Sequence, residues 1–139
     1  MFDDMGRERL RGLYVTAWRK YQAGESLEPL EQQIAQLVAV HPEYHGLLEG
    51  DAEALREELS SGDVHNPFLH MGMHLAIRDQ VGMDRPAGIA AIYQALVRRL
   101  GDLEAEHAMM ECLGPVLWEA GRSGRMPDEM AYLECLKKL

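Results

Sequence analysis

Hydrophobic residues recur along this chain at steps of three and four, and strict alternation of apolar and polar positions is nearly absent. Steps of three and four place side chains on one face of an α-helix, whereas a half-buried β-strand needs a period of two. The pattern therefore predicts an all-α protein. Its first helix is expected over about residues 5–22, with an apolar stripe formed by Leu10, Leu13, Tyr14, Ala17, Trp18 and Tyr21.

Turn residues and prolines separate the later helices. Ser26 is a candidate cap for a second helix, which carries Pro29 in its first turn and ends near His41. Asn66 followed by Pro67 is a strong start signal, because it places a cap residue before a proline at the first helical position. Further helical segments are expected over residues 42–48, 51–59, 67–83, 86–100, 103–122 and from 127 onward. The chain is thus predicted to form one compact helical domain, residues 1–139, with about six main helices and a bundle-like architecture.

Composition and charge narrow the function classes. The formal net charge is −9, the opposite of the basic excess expected of a nucleic-acid binder or a protein that docks on an anionic membrane. No apolar run approaches the 18 residues of a membrane span, and the N-terminus lacks the apolar core of a signal peptide. These features predict a cytoplasmic protein with Cys112 and Cys135 as reduced thiols.

The helix expected after Pro67 has an unusual distribution of polar residues. It is apolar nearly all round, which is typical of a buried helix, yet His70, His74 and Arg78 follow one another at steps of four. Side chains at that spacing lie along one line of the helix surface. Because buried polar groups need partners, this line must face something polar.

The helix expected over residues 103–122 provides a complement, because His107 and Glu111 are four residues apart and project together. We therefore predict a metal site formed by His70, His74, His107 and Glu111, whose imidazole and carboxylate groups suit zinc, iron, nickel or copper. Two other interpretations remain open. The polar line could form a buried hydrogen-bonded network, with His74 or Arg78 paired to Glu111 or to a neighbouring acid, or the histidines could be independent surface residues.

His41 and His45 form another pair at a spacing of four and are candidate additional ligands. Pro42 disturbs the helix between them, so a simple helix junction is the competing interpretation. Pro115 lies inside the helix over residues 103–122 and predicts a kink there. His65 precedes the central helix and is interpreted as a turn residue within reach of His70.

Several segments resemble one family. Residues 66–78 read Asn-Pro-Phe-Leu-His-Met-Gly-Met-His-Leu-Ala-Ile-Arg, and residues 106–114 read Glu-His-Ala-Met-Met-Glu-Cys-Leu-Gly. Together with residues 41–45, 84–89 and 117–120, they resemble the bacterial family called domain of unknown function 1841. The resemblance covers nearly the whole chain and implies a small cytoplasmic bacterial protein, but it brings no established activity. Pro115 departs from the pattern, where a helix former such as glutamate is expected.

Two functions from different classes follow from these observations. The first is a helical protein that binds a transition metal, where an open coordination position would allow hydrolysis or redox chemistry. The second is a non-enzymatic interaction module or homo-oligomer, in which the buried His, Glu and Arg cluster is a structural polar network. The sequence decides neither whether the protein is an enzyme nor which metal it binds.

Overall fold

The computed structural model describes residues 4–50 and 67–139, and within these ranges the chain is helical with no β-strand. This confirms the all-α prediction. The helices are α1 (Asp4–Ala23), α2 (Pro29–Ala39), α3 (His45–Leu48), α4 (Pro67–Met83), α5 (Ile89–Leu100), α6 (Asp102–Ser123) and α7 (Glu129–Lys137), with a 3-10 turn at Pro42–Tyr44. The expected turns over residues 51–59, the Asn66 cap and His65 lie outside the described residues.

The chain comprises two compact units, Met1–Met71 and Gly72–Leu139. The boundary falls within α4, so the first turn of this helix belongs to the first unit and the remainder to the second. The prediction of a single domain over residues 1–139 stays a prediction.

Two helix starts differ from the sequence prediction. The N-cap of α2 is Glu28 rather than Ser26, and the Glu31 carboxylate accepts a hydrogen bond of 2.9 Å from the Glu28 backbone N–H. Helix α5 begins at Ile89 rather than at Pro86, since the Asp84 carboxylate accepts the N–H groups of residues 88 and 90. In both places a carboxylate satisfies the unpaired N–H groups that every helix start exposes.

The first unit is organised by the packing of α1 against α2. The predicted α1 stripe is buried at its centre but exposed at both ends, where Leu10 and Tyr21 are each 46% exposed. Phe68 at the start of α4 packs edge-on against Tyr14, with 5.4 Å between ring centroids. The buried apolar residues of this unit are Tyr14, Ala17, Trp18, Ile34, Ala35, Leu37, Val38, Leu47, Leu48, Phe68 and Met71.

The second unit has its own core, to which the C-terminal part of α4 and helices α5, α6 and α7 contribute. The Tyr132 hydroxyl of α7 donates a hydrogen bond of 2.7 Å to Gln80 Oε1 of α4. Helix α6 continues through Pro115 as one helix. The buried members of this core are Ile77, Ile89, Leu96, Ala105, Met109, Met110, Cys112, Leu113, Tyr132 and Leu136.

The two cysteines are not free thiols, and this part of the sequence prediction is wrong. Cys112 of α6 and Cys135 of α7 form a disulfide, with their Cα atoms 5.7 Å apart. Helices α6 and α7 pack against each other, so residues 23 apart in sequence become neighbours. The cysteines therefore give no support to the predicted cytoplasmic location, because stable disulfides are typical of oxidising compartments. Across the described ranges, no helix is both long and apolar enough to cross a membrane.

We expect reduction of this disulfide to lower the free energy of unfolding by about 3 kcal/mol, because the cross-link restricts the unfolded chain. Denaturant unfolding with and without reductant measures the change. The Cys112→Ala/Cys135→Ala variant is the control, since its unfolding should not respond to reductant. Two free thiols per chain in wild-type protein prepared without reductant would contradict the disulfide between Cys112 and Cys135.

A second stability prediction concerns Glu31 of α2, whose carboxylate pairs with Lys20 of α1. The Glu28 backbone N–H and the Lys20 ammonium, 3.1 Å away, lower the pKa of this carboxyl. A folded-state pKa below the unfolded value stabilises the protein at neutral pH, and this stabilisation is lost as the pH falls through the folded pKa. Glu31→Gln should therefore lower stability at pH 7 and reduce the loss of stability on acidification from about pH 5 to about pH 3.

Thermal melts across this pH range test the prediction. Glu25→Gln provides the matched control, because Glu25 and its partner Arg19 are both exposed and their closest charged atoms are 4.0 Å apart. Exposed pairs of this kind contribute little to stability. Equal acid sensitivity of Glu31→Gln and the wild-type protein would contradict the role assigned to Glu31.

Candidate metal centre

Helix α4 carries two histidines on one face. His70 and His74 are four residues apart in this helix, so their side chains lie one turn from each other. His74 is fully buried and His70 is partly buried. Each of them has a second histidine ring packed against it within its own unit.

In the first unit, the ring packed against His70 is His41, which follows the C-terminus of α2. The two ring centroids are 5.2 Å apart and the ring planes are nearly perpendicular. His41 is 2% exposed, and its Nδ1 lies 2.9 Å from the Leu37 carbonyl oxygen. Tyr44 stacks on the His41 ring with centroids 5.6 Å apart. The His41 ring is thus held by a backbone hydrogen bond and by aromatic packing.

In the second unit, the ring packed against His74 is His107 of α6. Their centroids are 4.9 Å apart and their planes are inclined by 61°. The Nδ1 atom of His74 lies 2.7 Å from Glu106 Oε1, and the Nδ1 atom of His107 lies 3.2 Å from Glu104 Oε1. Both histidines of this pair therefore contact a carboxylate of α6 through the same ring nitrogen.

Glu106 joins His74 to a third polar residue. This carboxylate is 3% exposed, and the Arg78 guanidinium donates to it twice, from Nε to Oε2 over 2.9 Å and from Nη2 to Oε1 over 3.2 Å. Burial is the largest influence and raises the pKa of Glu106, but the hydrogen bonds from His74 and Arg78, with the attraction of the Arg78 charge, lower it overall. Glu106 is therefore an ionised acceptor at neutral pH.

These contacts define the proton positions on three of the four rings. A carbonyl or carboxylate oxygen can only accept, so Nδ1 of His41, His74 and His107 must carry the proton. In a neutral imidazole, Nε2 then bears the lone pair. Metal-binding histidines commonly donate one ring N–H to such an oxygen and bind the ion through the other nitrogen.

The residues singled out from the sequence lie as follows. His70, His74 and His107 belong to the two pairs, whereas Glu111 is exposed on α6. The carboxylate that contacts His74 is Glu106, a neighbouring acid of the kind that the polar-network interpretation allowed. The helical pattern does contain a signal for Glu106 as the buried partner. It lies three and four residues before Met109 and Met110 and seven before Leu113, and therefore on the buried face of α6.

The two additional candidates have different surroundings. His41 packs against His70, as described above. His45 instead stacks on Trp18 with centroids 4.5 Å apart, and its Nε2 donates to the Val38 carbonyl oxygen over 2.8 Å. A neutral His45 therefore carries its proton on Nε2, and its ring is held by Trp18 and by the Val38 carbonyl.

A protein family matches most of the chain. No curated protein and no solved structure matches the chain. The family described as Domain of unknown function (DUF1841) matches residues 6–138 and so covers nearly the entire chain, as the resemblance of its histidine-containing segments indicated. The chain therefore belongs to the DUF1841 family.

Proposed function

We propose that this protein binds a transition metal, with His41 and His70 of the first unit and His74 and His107 of the second as the ligands. The observation that carries the proposal is that consecutive turns of α4 each present a histidine with another histidine packed against it. Three of these histidines come from the sequence prediction. His41, one of the additional candidates, takes the place of Glu111.

The spacing on α4 supports chelation. Two histidines four residues apart on a helix project from one face and can bind the same ion without rearrangement of the backbone. The two histidines lie in a well-packed part of α4, since the neighbouring residues Met71 and Ile77 are fully buried. The α4 backbone is therefore well packed next to each of the two histidines.

The hydrogen bonds at Nδ1 also support ligation. They place the lone pair of a neutral His41, His74 or His107 on Nε2, the nitrogen that would bind the metal, and restrict rotation of each ring. The carboxylates of Glu104 and Glu106 bring negative charge behind two of the rings, which offsets the charge of a divalent cation. The same contacts increase the basicity of the imidazoles as ligands.

The donor set indicates the class of metal. Imidazole nitrogen suits zinc, copper, nickel and iron, whereas magnesium and calcium prefer oxygen ligands. Four imidazoles complete the coordination of a tetrahedral ion such as Zn²⁺, which is the arrangement of a structural site. We therefore propose metal binding as the function and assign no reaction.

The competing function is a metal-free interaction module whose polar cluster orders the core. The observation that favours it is the Glu106 network, in which the carboxylate already accepts hydrogen bonds from His74 and Arg78 without a metal ion. The two functions differ in their response to metal. A structural network is complete without an ion, whereas a metal site stabilises the folded state when it is filled.

We expect protein purified without a histidine tag to contain about one metal ion per chain. Removal of the ion with a chelator should lower the melting temperature, and added Zn²⁺ should restore it, because the unfolded chain lacks the preformed site. Elemental analysis and thermal melts measure both effects. Protein without stoichiometric metal, whose melt is unchanged by chelator or by added zinc, iron, nickel and copper, would overturn the proposal.

Single variants test which residues bind the ion. His41→Ala, His70→Ala, His74→Ala and His107→Ala should each reduce metal occupancy, although His41 and His107 lie far from the α4 pair in the sequence. His45→Ala and Glu111→Gln are the matched controls and should retain the ion. Circular dichroism shows whether each variant is folded, and His→Asn replacements serve where alanine prevents folding.

Cobalt gives a second readout, because the visible spectrum of bound Co²⁺ reports the number of its ligands in variants that fold. Metal binding should also weaken on acidification, since protons compete with the metal for the imidazole nitrogens. Equal occupancy in all four histidine variants and in the controls would contradict the assigned ligand set.

A further inference from the structure

We infer that Glu106, held in place by Arg78, is a positioning residue that fixes His74 in the tautomer able to bind a metal. The inference rests on the proposed function, because it assigns His74 as a ligand. It concerns only residues of the second unit, all of which the structure describes.

The first step is the geometry of the carboxylate. Glu106 Oε1 receives the Nδ1–H of His74 over 2.7 Å, which is the short distance expected for a hydrogen bond to a charged acceptor. An ionised carboxylate has no proton to donate. As long as Glu106 faces Nδ1, the proton of a neutral His74 must therefore stay on Nδ1 and its lone pair on Nε2.

The second step is the role of Arg78. Its guanidinium has only donor groups and contacts both carboxylate oxygens, so whatever occupies position 106 must present oxygen to it. Arg78 lies one helical turn after His74 on α4, and both side chains reach the same carboxylate. Arg78 thus prevents the carboxylate from rotating away from His74 and balances its charge where the solvent does not.

The third step is a comparison within the same helix. Glu104 contacts Nδ1 of His107 in the same manner, but the distance is 3.2 Å and the Glu104 side chain is 66% exposed. Water can replace an exposed carboxylate of this kind. Glu104 and Glu106 therefore form a matched pair, in which only the buried member is expected to control the tautomer of its histidine.

The replacement Glu106→Gln tests this control with almost no change in shape. Arg78 donates to both carboxylate positions, so in either orientation of the amide the NH₂ group faces an N–H of Arg78. In the orientation with the oxygen on Arg78 Nε, the NH₂ group also faces His74 and donates to Nδ1. The histidine proton then moves to Nε2 and blocks the lone pair that would bind the metal, so Nδ1–H is no longer the only tautomer. The same replacement at Glu104 leaves the amide free to turn its oxygen toward His107.

Long-range ¹H–¹⁵N NMR spectra of the metal-free protein at about pH 8 distinguish the two tautomers, and loss of the signal in His74→Gln identifies His74. We expect an Nδ1–H tautomer in the wild-type protein and in Glu104→Gln, and a substantial population of the Nε2–H tautomer in Glu106→Gln. Zn²⁺ affinity, measured by competition with a chromophoric chelator, should fall about 10- to 100-fold in Glu106→Gln. In Glu104→Gln it should change much less.

A double variant separates positioning from a merely structural effect. In Glu106→Gln/Arg78→Met, no guanidinium opposes the NH₂ group, so the amide oxygen can accept from Nδ1–H without setting the NH₂ group against another donor. This variant should recover the Nδ1–H tautomer and part of the Zn²⁺ affinity that Glu106→Gln loses, although it removes one more native interaction. If Glu106→Gln acted only through a general loss of structure, the double variant would bind Zn²⁺ still more weakly and would not recover the Nδ1–H tautomer.

The outcomes distinguish this inference from the proposed function. An Nε2–H tautomer at His74 in the wild-type protein, or a folded Glu106→Gln that binds Zn²⁺ as tightly as the wild-type protein, would overturn the inference and leave metal binding intact. A wild-type protein that binds no metal would overturn the proposed function and the positioning role together, whatever the tautomer.

Discussion

The buried carboxylate of Glu106 is the constraint around which the second unit is arranged. Transfer of an ionised carboxylate from water into a protein interior costs several kcal/mol unless charges and hydrogen bonds compensate it. Arg78 supplies the charge, and His74 supplies the shortest hydrogen bond. Because both partners lie on α4, the residues of α4 and α6 that surround Glu106 have to be placed accurately. Apolar packing alone would tolerate a wider range of positions.

This constraint links stability to chemistry. The hydrogen bond that compensates Glu106 also determines which nitrogen of His74 carries the proton, so one contact contributes to the core and to the candidate site. In the first unit, the Leu37 carbonyl has the equivalent role toward His41. A backbone carbonyl is neutral and cannot move independently of α2, whereas a carboxylate brings charge. The two units thus orient their histidines by different means.

The sequence predicts the helices well, because their signals are local. Apolar residues at steps of three and four define α1 and α4, and Pro67 and Asp128 mark helix starts that the structure contains. The starts of α2 and α5 were missed, because the capping carboxylates lie outside the usual cap position or act across a turn. Such contacts depend on the path of the loop, which local patterns do not determine.

The partners of the polar residues are harder to predict. Spacing alone indicated that His70 and His74 share a face, but the choice of Glu111 over Glu106 followed a helical spacing of four from His107. The two carboxylates differ in burial, since Glu106 is buried and Glu111 is exposed, and this burial depends on which side of α6 faces the core. The disulfide was missed for the same reason, because the contact between Cys112 and Cys135 requires knowledge of how α6 and α7 pack.

The disulfide also changes how the chain responds to proteolysis. All residues from 121 to 130 are exposed, and this segment lies within the loop that the bond between Cys112 and Cys135 closes. Exposed connecting segments are preferred sites of proteolytic cleavage. A cut here would divide the polypeptide but would not release α7, since the two fragments remain covalently joined. Under oxidising conditions, the nicked protein would keep its C-terminal helix and the contact of Tyr132 with Gln80.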